Sequence, residues 1–121
     1  MTERYKIDTH GPDPQGVHLA IAKAVELADQ YNCNIVLCVP SLKDAANTIL
    51  TDVLSKPFVS DLSNGNLIKF RGHSIKMLSK HNIKKIVESD VIVVFLWILP
   101  KPLSSILKSI TPKAIIEVPW L

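Results

Sequence analysis

The sequence predicts an α/β domain in three layers, with a mainly parallel sheet of about five strands and helices on both of its faces. Three observations predict it. Segments with strand character alternate with segments of helical character along most of the 121 residues. Residues 35–39 and 91–97 are apolar almost without interruption, as strands covered on both faces are. Between the first two strand segments, apolar residues recur at three- and four-residue spacing, which puts them on one face of a helix.

Residues 5–9 read as a short first strand, ended by the His10-Gly11-Pro12-Asp13-Pro14 sequence, where two prolines stop regular structure. Val17, Ala20, Ile21, Ala24, Val25, Ala28 and Tyr31 then form the apolar stripe of a long helix, with Lys23, Glu26 and Asp29 on its other side. Residues 35–39 form the second strand. Ser41 and Asp44 have capping-box spacing, and residues 42–53 carry a second amphipathic stripe that stops before Pro57. Residues 58–78 read as a hairpin-like insertion. Asn64-Gly65 and Arg71-Gly72 are its turn signals, and Leu67 to Phe70 and Ile75 to Leu78 are its short strands. A helix over 74–81 is the rival reading of this stretch. A short helix around Ile83, Ile86 and Val87, starting near Ser79 as its cap, leads into the strand at 91–97. Leu103, Ile106, Leu107 and Ile110 mark another helix, and residues 114–118 the last strand.

This alternation defines a Rossmann-like domain occupying residues 1–121 as one unit. Its crossovers are expected to be right-handed. A 3-2-1-4-5 type of strand order, with the first strand central, divides the helices evenly between the faces and is preferred on burial grounds. No helix follows the last strand in the sequence. If the order is another one, a bare sheet face is expected to serve as a homodimer interface or as a surface for a partner domain.

Composition narrows the class of partner. Lys and Arg exceed Asp and Glu by 14 to 11, and the basic residues are scattered, so no nucleic-acid stripe is expected. The densest basic group, Lys76, Lys80, Lys84 and Lys85, reads as a solvated face. The longest apolar run has nine residues, far short of the ~20 needed to span a bilayer. Cys33 and Cys38 fall on opposite faces of a strand, which argues against a disulfide and for a reducing, cytoplasmic setting.

No motif specifies a reaction or a cofactor. Candidate residues follow instead from the rule that parallel sheets bind ligands beyond the carboxyl ends of their strands. Asp8, His10, Gly11, Asp13 and Gly16 lie around the end of the first strand, Ser41 after the second, Trp97 and Lys101 after the 91–97 strand, and Trp120 after the last. Asp8 and His10 point to one side of a strand and have the residue types of a general acid–base pair or of two metal ligands, with His73 or Glu117 as a distant third. The competing reading makes Asp8 a local cap or ion-pair partner. The loop 11–16 stands where a phosphate loop stands, but it lacks the glycine spacing of one, and Asp13 repels phosphate. Ser41 reads as a helix cap, because no nucleophile elbow surrounds it. Trp97 and Trp120 can stack on a planar ligand or close the core. The expected function is binding or sensing of a small, possibly nucleotide-like ligand. An interaction or homodimerisation module is the first alternative, and a small hydrolase using Asp8 and His10 the second.

Overall fold

A computed structural model describes residues 2–8, 14–40, 54–80, 82–83, 90–98 and 100–119. They form a six-stranded mixed sheet and three helices: β1 (Glu3–Lys6), α1 (Pro14–Tyr31), β2 (Asn34–Val39), α2 (Lys56–Ser63), β3 (Ile68–Phe70), β4 (His73–Ser79), β5 (Val91–Leu96), α3 (Pro100–Leu107) and β6 (Ala114–Val118). The α/β class and the mostly parallel sheet agree with the sequence. The predicted helix at 42–53 lies outside the described residues, as does all of the 83–87 helix except Ile83.

The strand order differs from the expected one. It is β1-β6-β5-β2-β4-β3, so the first strand is at an edge and not in the centre. All neighbours pair in parallel except β3 and β4. The reason is visible in burial. Strands β2 and β5 are apolar and buried on both faces, whereas β1 alternates half-buried Glu3 and Tyr5 with exposed Arg4 and Lys6. A strand carrying cations on one face cannot sit under a helix without stranding their charges. It goes to the edge.

Two apolar layers flank the sheet. On one side, Ile35, Leu37, Ile92, Val94, Leu96 and Ile116 pack against Val17, Ala20, Ala24 and Leu27 of α1 and against Val59 and Leu62 of α2. On the other, Val36, Cys38, Val93, Phe95 and Ile115 pack against Leu103 and Ile106 of α3 and against Ile83. Helix α1 carries the chain from β1 across β6 and β5 to β2 on the first side. The step from β5 back to β6 runs through α3 on the second. Helices are thus shared between the faces without a central first strand.

Residues 58–78 are not an insertion. Phe58 to Ser63 belong to α2, which Ser55 caps by accepting from the Phe58 amide at 3.4 Å, and Pro57 stands in its first turn. Asn64-Gly65 ends that helix, with Gly65 at φ +85°, instead of turning a hairpin. Strands β3 and β4 do form the expected hairpin through Arg71-Gly72. Both residues have positive φ (51° and 85°), as a type I′ turn requires. Strand β4 then pairs with β2 as a full member of the parallel sheet. Residues 74–79 are strand, not helix, and Ser79 ends β4 instead of capping the next helix.

Among the described residues no helix is long and apolar enough to cross a membrane. Cys33 and Cys38 are free, buried and on opposite faces of the sheet. Burial pushes the Cys38 thiol up to about 12 and raises that of Cys33, so both stay protonated at neutral pH.

Candidate functional site

The carboxyl ends of the five parallel strands lie along one rim. Outgoing connections diverge between β5 and β2, since β2 leads toward β4 and β5 toward β6. Of the predicted site residues, Trp97 stands at this switch point. Its backbone amide donates to Val118 O at 2.9 Å, tying the end of β5 to the end of β6. Its φ of 59° interrupts the alternation of the strand. Leu96 and Trp97 therefore both face the α1 side, and Ile98 turns to the α3 side.

Of the other described candidates, none stands at this point. Asp8 is exposed beyond β1, and three strand spacings, about 14 Å, separate β1 from β2. Gly16 is buried in the first turn of α1. Lys101 is exposed in the first turn of α3. His10, Gly11, Asp13, Ser41 and Trp120 lie outside the described residues. His73 starts β4 and so sits at the opposite rim from Asp8, which removes it as a third ligand. It is buried there, with Nε2 at 2.6 Å from Asp29 Oδ1. Among the described residues, no group of three or more His, Cys, Asp or Glu side chains is placed to hold a metal.

A cavity of about 460 Å³ lies instead on the α3 side, over the β6–β1 edge, a volume ordinary for a ligand site. Helix α3 covers β5 but leaves the outer strand bare on this face. One wall is Leu103, Ser104, Leu107 and Lys108, the floor is Arg4, Lys6 and Glu117, and Ile98, Pro100 and Pro119 close the rim end. The lining combines apolar walls with three cations and one carboxylate, an excess of two positive charges. Glu117 answers Lys6 at 4.0 Å, a loose and solvent-exposed pair. Arg4 and Lys108 have no ion-pair partner among the described residues.

Sequence reasoning missed Arg4, Lys6 and Lys108. The alternation in residues 3–8 is the signal that could have placed Arg4 and Lys6 on an open edge. Nothing local links them to Lys108, which only the β1–β6 pairing brings near.

The opposite face of β1 is anchored to α1. The Glu3 carboxylate accepts from the Tyr31 hydroxyl and, at 3.0 Å, from that of Tyr5. Lys23 and Lys113 each lie 4.8 Å from a ring centroid, over Tyr5 and Tyr31 respectively. The Tyr31 bond, then the Tyr5 bond, hold Glu3 below the ordinary carboxylate range. The same bonds raise Tyr5 and push Tyr31 up to about 12. The neutral phenol is the bonded form, and an unfolded tyrosine ionises near ~10. Stability from Tyr31 is therefore complete below pH ~10 and is lost as pH rises from there toward 12. The chain has two tyrosines, so its tyrosinate absorbance reports this cluster alone. Spectrophotometric titration is expected to show both ionising above the ordinary value, and Glu3→Gln to move both back down. Ordinary titration in the native wild-type protein contradicts the cluster.

Compared with models of known families, with curated proteins and with solved structures, the chain matches none.

Proposed function

We propose that the chain is a binding domain for an anionic ligand with an apolar portion, held in the groove between α3 and the β6–β1 edge. The observation that carries this reading is a pair of cations, Arg4 and Lys108, without an ion-pair partner among the described residues and brought by different elements to one apolar-walled cavity. Cations without partners beside apolar surface favour a ligand that supplies negative charge and covers that surface. Phosphate esters of nucleotide size and acidic peptide segments both present this chemistry. The groove favours binding over catalysis, because its one acidic group, Glu117, is already engaged by Lys6.

Thermal-shift and calorimetric titration with nucleoside phosphates, dicarboxylates and acidic peptides tests the reading. A ligand present at 100-fold its dissociation constant should add about 2.7 kcal/mol, which is several degrees for a domain of this size. A hydrogen bond to a charged group contributes about 1.5–3 kcal/mol, so Arg4→Ala and Lys108→Ala should each weaken binding about tenfold or more. Both residues are exposed, and neither substitution should disturb folding. If no anionic compound shifts the transition, or if both variants bind like the wild type, the reading fails.

A further inference from the structure

We infer that the anionic ligand is an extended acidic segment of a partner protein, added to β1 as a seventh strand; this rests on the groove reading above. Three features of β1 converge. Among the described residues, strand β1 is at the edge of the sheet and pairs with β6 alone. The Glu3 amide donates to Lys113 O at 3.2 Å and the Ile7 amide to Glu117 O at 2.9 Å, so alternate residues of β1 direct their backbone groups at β6. Backbone groups alternate in direction along a strand. Arg4 and Lys6 therefore turn theirs to the open edge, where an incoming strand can pair with them.

The side chains of the same two residues define the chemistry of that strand. They stand on the groove face, where they are exposed, the Lys6 side chain to 68%. A neighbouring strand places its own groove-face side chains beside them, and opposite charges across such a pair attract. On the other face, half-buried Tyr5 and Ile7 continue the apolar layer under α1 and offer apolar neighbours. The occupant is then an alternating sequence, acidic toward the groove and apolar toward α1. A second copy of β1 is disfavoured, because Arg4 and Lys6 would meet their own counterparts. Cations on an edge strand usually prevent indiscriminate pairing, and here the same cations select an acidic partner.

The test uses the whole chain and a fluorescein-labelled peptide of alternating Val and Glu, seven residues long, read by anisotropy. A peptide of the same composition with its Glu residues in one block is the control. Two further peptides carry N-methyl groups on alternate amides, in one frame or in the other. Because one frame alone faces β1, methylation there should weaken binding about tenfold or more, while the other frame should bind within about threefold of the parent. The doubly reversed variant Arg4→Glu with Lys6→Glu should lose the Val–Glu peptide and gain the corresponding Val–Lys peptide. That gain shows that the variant is folded. Equal effects of the two methylation frames, or equal binding of the blocked control, overturn strand addition and leave the groove reading intact. So does binding of a phosphate ester with no binding of any peptide. If neither peptides nor small anions bind, both proposals fall.

Discussion

Alanine in place of Phe95 is expected to lower the unfolding free energy by about 3–5 kcal/mol. Phe95 has no exposed surface and heads the fully buried side chains in size. It stands in β5 between Cys38 of β2 and Glu117 of β6, and it meets the layer that seats α3. That layer is the smaller of the two, and Phe95 is its one aromatic ring among the described residues. Its remaining buried members are Cys38 and aliphatic side chains, most of them fixed on strands or on a two-turn helix, so they cannot collapse far into the vacated space. The cost therefore combines lost transfer energy with a persistent cavity. A domain of this size has about 5–15 kcal/mol in total, so about a fifth or more of its stability is at stake. Urea unfolding should show a lower midpoint with an unchanged slope. Leu19→Ala, at a side chain 50% exposed on α1, should change stability by less than about 0.5 kcal/mol. Near-wild-type stability for Phe95→Ala contradicts the seating of α3 on β5, and with it the wall of the groove.

The elements most legible in the sequence are those whose pattern is local. The stripe from Val17 to Tyr31 places the body and the last residue of α1, which begins three residues earlier at Pro14, because a 3.6-residue period repeated over about four turns has few rivals. Continuous apolar runs place β2 and β5, and a short apolar run broken by Glu117 places β6. Gly72 betrayed the hairpin, since few residues accept its φ. Helix α2 escaped notice for a physical reason. Proline commonly follows a helix end but also starts a helix from its first turn; after the 42–53 stripe Pro57 reads as the stop, and in the structure it opens α2.

Strand order was not legible in the same way. It depends on which strand tolerates an open edge, and that follows from Arg4 and Lys6 more than from any count of helices. The site shared this difficulty. The rule of carboxyl ends led to the rim and to Trp97, yet the described cavity joins residues 4 and 6 to residue 108 along the face of the sheet. Scattered cations looked like ordinary surface because their convergence is a product of the β1–β6 pairing. Asp8 and His73, which share no rim, show the reverse error: residue types suited to one another need not meet.

The second large effect is expected at Trp97, where three substitutions should separate side chain from backbone. Trp97→Ala should cost about 3–5 kcal/mol, because a side chain only 6% exposed is removed from the α1 layer. Trp97→Gly removes one carbon more, yet it should be more stable than the alanine variant by up to about 1 kcal/mol. A left-handed conformation costs an L-residue about 1–2 kcal/mol, and φ of 59° imposes it at this position. Glycine's extra freedom in the unfolded chain offsets about 0.5–1 kcal/mol of that relief. Trp97→Phe should stay within about 1 kcal/mol of the wild type. It loses part of the ring but also removes the indole Nε1–H, which is buried without a hydrogen-bond partner among the described residues and so carries a desolvation cost of about 1–3 kcal/mol. The expected order of stability is thus phenylalanine, glycine, alanine, measured as urea midpoints. An alanine variant more stable than the glycine one contradicts the left-handed turn. That turn swings Ile98 to the α3 side and delivers the chain to Pro100, both lining the groove. The glycine variant keeps this path and, on the reading proposed above, should bind anions as the wild type does wherever it remains folded.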